Sequence, residues 1–179
     1  MHLDKGQMWI GTTTDGAYRL QLDKNELTHP ILKGNITSIY QDSEGELWIG
    51  SWEEGLHHVK TDGTIEIFEY DAKNPYSISS NFVRACCEDN LGNIWIGTFN
   101  GLNRYDKSTG LFQNHTASDA QSDGLTHSSI WCIVKDNQGT LWLGTYFGGV
   151  NYFNPEYEIY SRYMYSPIEK KGLSNPVVG

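Results

Sequence analysis

The sequence has few basic residues and no long apolar run. Its 179 residues include 13 Lys and Arg against 22 Asp and Glu, which gives a formal net charge of −9 at pH 7. A surface of that sign repels the phosphates of nucleic acids and of anionic lipids, so neither is an expected partner. No stretch approaches the roughly 18 consecutive apolar residues of a membrane-spanning helix. We therefore expect no nucleic-acid partner and no direct membrane contact for this segment.

Cysteine is also scarce, with only Cys86, Cys87 and Cys132. Two of the three are neighbours and the number is odd, which makes a poor disulfide framework and gives no metal-ligand spacing. We expect small buried thiols, no metal and no cofactor. Residues 1–6 lack the basic and then apolar pattern of a signal peptide. That observation leaves a cytoplasmic protein, a mature chain or an excised piece as alternatives.

Glycine and aromatic residues are abundant, with 19 Gly, 11 Tyr and 6 Trp, and many of them belong to a repeat. The motif Trp-(Ile/Leu)-Gly-(Thr/Ser) occurs four times, at intervals of 39, 47 and 47 residues. Its tryptophans, and the glycines two positions later, are Trp9, Trp48, Trp95, Trp142, Gly11, Gly50, Gly97 and Gly144. In three copies an aspartate stands six positions before the tryptophan: Asp42, Asp89 and Asp136.

Each copy lies in a unit of four predicted strands, which we name a to d in chain order, and the aspartates open the a–b turns. No window has a sustained period of 3.6, so little helix is expected. Four-stranded units of roughly 40 to 50 residues with a tryptophan motif are typical of β-propeller blades, because stacking buries both faces of each sheet. We predict an all-β propeller segment of about four antiparallel blades, with the repeated tryptophans packed between them.

The predicted units cover about 1–33, 34–80, 81–127 and 128–173 of a single propeller segment, 1–179. Residues 175–179 align with 81–85, so 174–179 start or complete a further blade. Three architectures are compatible with this pattern: a closed ring of four blades, a ring of eight formed by two chains through their open blade ends, or a fragment of a longer propeller. We expect the fragment, a partial propeller that is still able to pair with itself.

The pattern Asp-x-x-Gly-x-(Leu/Ile)-Trp-(Ile/Leu)-Gly-(Thr/Ser), followed by Gly-(Leu/Val), resembles the two-component regulator propeller repeat. The inter-blade stretches 74–81 and 172–175 are similar to the linkers of that family. The resemblance implies the extracytoplasmic, hence periplasmic, sensor part of a bacterial hybrid two-component histidine kinase that senses glycan breakdown products. The chain departs from the layout of such receptors because it has no phosphoacceptor or nucleotide-binding segment. We therefore expect no kinase activity in it.

No other constellation in the sequence is typical of an enzyme. His57 and His58 have no cysteine or carboxylate at ligand spacing, and the neighbouring Glu53 and Glu54 should diverge from their turn. His127 precedes two serines but has no third partner for a nucleophile. We expect no catalytic residues, and a propeller lyase or hydrolase is the least favoured function.

A binding site is better supported, at the rim formed by the b–c turns and the d–a linkers. Exposed aromatics at turn tips are unusual, and sugar rings stack on such surfaces. In addition, one aligned position of strand a carries Thr37, Arg84 and Trp131, whose different chemistry suits either a specific pocket or an unconstrained channel lining. The candidate ligand-binding residues are Trp52, Phe99, Asn100, Tyr146, Phe147, Arg84, Trp131 and His127.

Two functions follow from these candidates. The first is a ligand-sensing segment of a two-component receptor with an oligosaccharide ligand. The second is a protein-interaction or self-assembling scaffold, in which the exposed aromatics contact a partner or a second copy. A purely structural role is the alternative to ligand binding: the turn aromatics would then pack over the edge of the adjacent blade.

Overall fold

The computed structural model describes residues 2–4, 6–28, 30–117, 124–157, 159–166 and 172–178. Within those ranges the chain has sixteen strands and no helix, and the strands form four antiparallel sheets of four. The predicted all-β class and the four four-stranded blades are therefore confirmed.

The strands of each blade follow one another in chain order across the sheet. Blade 1 contains β1 (His2–Asp4), β2 (Gln7–Gly11), β3 (Ala17–Gln21) and β4 (Glu26–Leu27). Blade 2 contains β5 (Ile36–Gln41), β6 (Leu47–Ser51), β7 (Leu56–Val59) and β8 (Ile65–Phe68). Blade 3 contains β9 (Val83–Glu88), β10 (Ile94–Thr98), β11 (Gly101–Asp106) and β12 (Leu111–His115). Blade 4 contains β13 (Ile130–Lys135), β14 (Leu141–Thr145), β15 (Val150–Asn154) and β16 (Ile159–Tyr163).

The blades stand side by side in an open arc, not in a closed ring. The first strands of neighbouring blades are in contact, β5 with β9 and β9 with β13. These strands therefore line the inner side of the arc, as the first strand of a propeller blade does. The open arc contradicts the closed ring of four blades and agrees with a partial propeller.

Three apolar cores fill the gaps between the blades, and three of the four repeated tryptophans lie in or against them: Trp9, Trp48 and Trp95. Trp48 of blade 2 is fully buried with its ring centroid 5.2 Å from that of Tyr105 in blade 3. Trp95 of blade 3 is 1% exposed and contacts Phe153 of blade 4 at the same centroid distance, 5.2 Å. The prediction that these tryptophans pack between blades is confirmed for both. Trp142 of the last blade is only half-buried and contacts Tyr152 of its own sheet.

The glycine two positions after each tryptophan is required by close packing against the following strand a. A Cβ added to Gly97 would lie 2.7 Å from Cγ2 of Ile130, and one added to Gly50 would lie 2.6 Å from Cγ1 of Val83. Neither contact is sterically tolerable, so neighbouring blades approach as closely as they do only because the side chain is missing.

We expect Gly97→Ala to lower the free energy of unfolding by about 1–3 kcal/mol, because the added methyl overpacks the interface between blades 3 and 4. Urea denaturation followed by circular dichroism measures the change. The matched control is Gly63→Ala, which has open space around its Cβ and adds only the strain of a left-handed φ of 88°, about 1 kcal/mol. An equal or smaller cost at Gly97 would contradict the packing argument.

The motif aspartates do more than form turns. Each accepts a hydrogen bond from the indole Nε1 of the tryptophan six positions later, at 2.9 Å for Asp42, 2.8 Å for Asp89 and 2.9 Å for Asp136. The second carboxylate oxygen accepts two backbone N–H bonds of the a–b turn, as Asp89 does from Leu91 and Asn93. One carboxylate thus fixes both the turn and the rotamer of the inter-blade tryptophan.

The segment 172–178 packs against blade 4. The Val178 N–H donates to the Thr145 carbonyl at 3.1 Å, which repeats the bond from Ile36 to Thr12 between blades 1 and 2. Val178 therefore stands where each following strand a begins. The structure therefore aligns Val178 with Val83, the first residue of β9. The alignment drawn from the sequence pairs Val177 with Val83 and is off by one residue.

Candidate functional site

A β-bulge interrupts strand a in blades 2, 3 and 4, always at the same place. The ladder skips Thr37, Arg84 and Trp131, while the residues on either side stay paired to strand b. A bulged residue has no partner across the ladder, and the local bend redirects its side chain. The three side chains that the sequence aligned at one position of strand a are therefore the three that the bulges redirect.

The b–c turns present the second set of side chains. Each turn is closed by the hydroxyl that ends the repeat motif: Ser51, Thr98 and Thr145 donate to the carbonyls of Gly55, Gly101 and Gly149 at 2.8–3.0 Å. The closed turns leave large side chains in solvent. The exposed fractions are 38% for Trp52, 55% for Phe99, 38% for Tyr146 and 55% for Phe147.

The bulge residues and the turn residues meet on one rim. Trp131 stacks on Tyr146 with ring centroids 5.6 Å apart and an interplanar angle of 16°. Tyr146 contacts Phe147 edge to face at 4.3 Å, and Phe147 contacts His127 at 6.3 Å. A continuous aromatic surface therefore runs over the rim of blade 4.

The same surface continues over blades 2 and 3. Trp52 contacts Phe82 edge to face at 5.5 Å, and Phe82 contacts Phe99 at 6.1 Å. Phe82, half-buried, is a residue that reasoning from the sequence missed. It lies just before β9, outside the repeat motif, where blade 4 has Ser129, so no periodic signal identifies it.

Arg84 joins the two halves of this surface. Its guanidinium carbon lies 4.9 Å from the ring centroid of Trp52 and 4.0 Å from that of Trp131, within the range of cation–π contacts. Seven of the eight predicted ligand residues thus form one connected row, together with Phe82. We call it the rim row; its members are Phe99, Phe82, Trp52, Arg84, Trp131, Tyr146, Phe147 and His127.

The predicted Asn100 is exposed in the turn after Phe99, and its backbone N–H donates to Thr98 Oγ1 at 3.1 Å. Asn100 is not a member of the rim row.

Thr37, the bulge residue of blade 2, donates from its hydroxyl to the Val83 carbonyl at 2.6 Å and so joins blades 2 and 3. Of the turn residues, Trp52 also borders a pocket of about 240 Å³ whose other lining residues are Asn35, Ser51, Glu53 and Glu54.

The charge of Arg84 is unusual in its setting. No carboxylate of the described residues forms an ion pair with it, and its Nε is buried without a hydrogen-bond partner among those residues. Burial lowers the pKa of Arg84, and Tyr146 opposes that shift. Arginine stays protonated at any physiological pH, so the rim row has a partly desolvated cation at its centre.

A buried polar side chain in strand c holds the d–a linker of the rim. In blade 3, Asn103 accepts from the Ser79 N–H at 2.8 Å and donates to the Ile96 carbonyl at 3.2 Å. In blade 4, Asn151 accepts from the Thr126 N–H at 3.0 Å, next to His127. Blade 2 has His57 at this place, 4% exposed, and its Nδ1 has no hydrogen-bond partner in the described structure.

The burial of His57 predicts that the stability of blade 2 depends on pH. Burial lowers its pKa, although the Glu54 and Glu69 carboxylates oppose the shift. Because the pKa is lower in the folded than in the unfolded state, the neutral ring contributes stability that is complete above pH ~6.5 and is lost as the pH falls through the folded-state pKa. We expect the melting temperature to fall on acidification from pH ~7 to ~5.

The control for this pH dependence is His57→Asn, which places in blade 2 the residue found in blades 3 and 4. Scanning calorimetry of both proteins from pH ~7 to ~5 should show a flatter profile for the variant, since Asn does not titrate. Parallel profiles would assign the pH dependence to other groups.

His58 and the carboxylates around the a–b turn of blade 2 have structural contacts. His58 stacks on Trp48 with centroids 3.9 Å apart, and its Nε2 lies 2.6 Å from a carboxylate oxygen of Glu46. Asp42, Glu44 and Glu46 place carboxylate oxygens within 4.8 Å of one another. The Lys107 ammonium already bonds Asp42 at 2.9 Å and Glu44 at 2.7 Å, so blade 3 supplies the cation for that cluster.

The description "Two component regulator propeller" belongs to the family model that matches residues 30–53, 77–100 and 124–147. Each matched segment extends from a d–a linker through strands a and b to the b–c turn, and together the three segments contain every residue of the rim row. The resemblance drawn from the sequence motif is thus confirmed at three of the four repeat motifs, whose segments are similar to two-component regulator propeller repeats. No curated protein matches the chain significantly.

Solved structures share the fold. The extracellular domain of the hybrid two component system BT4673 from B. thetaiotaomicron is 23% identical with a TM-score of 0.76, over 98% of this chain and 23% of that one. The corresponding domain of BT3049 from the same organism is 18% identical with a TM-score of 0.73, over 89% and 23%. Virginiamycin B lyase from Staphylococcus aureus is 15% identical with a TM-score of 0.71, over 96% and 56%.

The chain spans about a quarter of the length of the two extracellular domains. In the described part of the chain, no helix has the length and apolar character of a membrane span.

Proposed function

We propose that this chain is a ligand-sensing propeller segment of a bacterial two-component sensor, acting on the periplasmic side of the membrane, and that its ligand is derived from a glycan. The repeat family and the extracellular domains that share the fold support the sensor part of this proposal. The chain has no sequence motif of kinase chemistry, so we assign phosphoryl transfer to other parts of the receptor.

The observation that supports the ligand is the rim row. Four of its rings are more than a third exposed in turns that are otherwise polar, and they form one surface across three blades. Aromatic faces and edges in a concave arc suit the C–H surfaces of sugar rings, while Glu53, Asn100 and Arg84 are placed to bond hydroxyls. The turn aromatics do pack over the next blade, as Trp52 does on Phe82, but they remain exposed.

An oligosaccharide array followed by isothermal titration calorimetry tests the proposal. We expect Trp52→Ala combined with Tyr146→Ala to weaken binding about 100-fold, since each aromatic removed is worth at least ~1.4 kcal/mol at a hot spot. The matched control combines Tyr76→Ala with Tyr157→Ala, two rings that are 56% and 68% exposed and lie outside the row. Binding by no array member, or equal loss in both double variants, would contradict the proposal.

A second function, self-assembly, is favoured by the sheet faces at the two ends of the arc. On blade 4, Val134 is 59% and Tyr163 51% exposed, and Trp142 lacks the cover that its counterparts have. On blade 1, Leu27 is 57% exposed. We infer that a second copy covers these faces as one blade covers the next. Light scattering should then give the mass of two chains, and Trp142→Glu should reduce it to that of one.

A single-chain mass at all concentrations for the wild type would contradict self-assembly. It would leave the ligand proposal standing, because the rim row is complete within one chain.

A further inference from the structure

Arg84 distinguishes the rim row from a neutral aromatic surface. Its position follows from the bulge of β9, which directs the side chain between two indoles of different blades, Trp52 of blade 2 and Trp131 of blade 4. The guanidinium is therefore in cation–π contact with aromatic rings of both neighbouring blades. The N–H groups along its edge are the part of the side chain that stays available to a ligand.

The surrounding residues leave that cation without a counter-charge. Elsewhere in the described structure the lysines near acidic groups are paired, as Lys107 is with Asp42 and Glu44, and Lys60 with Glu66. Arg19 and Arg104 also have a buried Nε without a hydrogen-bond partner, but neither belongs to the rim row. The chain has a net charge of −9, yet no carboxylate of the described residues pairs with this partly desolvated cation at the centre of the rim row. We therefore expect the anion that pairs with Arg84 to belong to the ligand.

The geometry of a guanidinium edge selects the kind of anion. Its parallel N–H groups match the two oxygens of a carboxylate, and such charge-assisted pairs are roughly twice as strong as neutral hydrogen bonds. A hydroxyl of a neutral sugar offers a single, uncharged acceptor. The aromatic residues on both sides of Arg84 require that the carboxylate be attached to a ring with an apolar C–H surface.

Building on the proposed function, we propose that the rim row binds an acidic glycan, in which a uronic acid residue places its carboxylate on the edge of Arg84. The neighbouring sugar rings then lie against the exposed aromatics on either side, Trp52 and Phe99 in one direction and Tyr146 and Phe147 in the other. Arg84 would thus determine specificity, while the aromatic residues supply the contact area.

Pairs of oligosaccharides that differ in one carboxylate test this inference. The probes are aldobiouronic acids and their neutral parents, such as cellobiouronic acid with cellobiose, and binding is measured by calorimetry at two salt concentrations. We expect the acidic member of at least one pair to bind ~10-fold or more tightly than the neutral one, with an affinity that falls as salt rises. Arg84→Gln should abolish that preference, and Arg84→Lys should keep part of it.

The outcomes separate the inference from the proposed function. If neutral and acidic members bind wild type equally, or if Arg84→Gln keeps the preference, the inference is wrong and the glycan site stands. If no member of any pair binds, the inference fails, and the oligosaccharide array decides separately whether the glycan proposal stands. Melting temperatures of the Arg84 variants verify that a lost preference comes from a folded protein.

Discussion

Trp95→Ala is expected to lower the free energy of unfolding by about 3–5 kcal/mol, the usual cost of deleting a fully buried large aromatic side chain. The indole is 1% exposed and packs between blades 3 and 4, against Phe153 and beside His115. Its removal leaves a cavity at an interface that the backbone cannot easily close, because strand a of blade 4 rests directly on Gly97. Urea denaturation monitored by far-ultraviolet circular dichroism gives the change.

Trp142→Ala is the matched control, because it removes the same motif residue from blade 4, where the indole is only half-buried. Its cost should be clearly smaller than that of Trp95→Ala, since less apolar surface returns to water. Equal costs at the two positions would contradict the view that the motif tryptophan acts mainly as an inter-blade wedge.

Asp89→Ala is the second change with a large expected effect, a loss of about 3 kcal/mol. The carboxylate is 4% exposed and accepts bonds from two turn N–H groups, from the Asn93 amide and from the Trp95 indole. Alanine would leave those N–H donors without an acceptor in a buried site. A buried unsatisfied donor costs about 1–3 kcal/mol, and water can replace the carboxylate only in part. The same denaturation experiment measures it.

Asp136→Ala serves as the comparison for Asp89, since the equivalent carboxylate of blade 4 is more exposed and water can replace it. We expect about half the loss or less. Asp89→Asn should be intermediate, because its amide oxygen keeps one acceptor while its NH₂ group faces the indole N–H. If the Asp89 and Asp136 variants are equally stable, the buried bond to Trp95 contributes little.

Much of the fold is predictable from the repeat, since turn glycines and the motif tryptophans recur in each unit and turn aspartates in three of the four. Blade 3 illustrates this, because the predicted unit of about 81–127 contains its four strands, β9 to β12. Each of these signals is local, because a strand boundary depends on nearby turn residues.

The position of the rim could also be predicted from the repeat, because equivalent turns of successive blades lie on one side of an arc. The side-chain contacts within the rim could not be predicted from the sequence. Arg84 meets Trp52 and Trp131 only because a bulge redirects its side chain, and a bulge depends on the register between two strands. Phe82 stands outside the repeat, so its contacts with Trp52 and Phe99 require the packing of three blades. The double role of Asp89 is likewise a tertiary property, since the turn predicts the aspartate but not its bond to an indole.

The measurement that tests the central claim most directly is ¹⁹F NMR of protein labelled with 5-fluorotryptophan. The chain has six tryptophans, and single Trp→Phe variants assign the six signals. On titration with the array oligosaccharide that binds most tightly, we predict that the signals of Trp52 and Trp131 shift, while those of the inter-blade Trp48 and Trp95 do not. Shifts confined to Trp142 or Trp9, or saturating binding with no shift at Trp52 and Trp131, would contradict the assignment of the rim row as the ligand site.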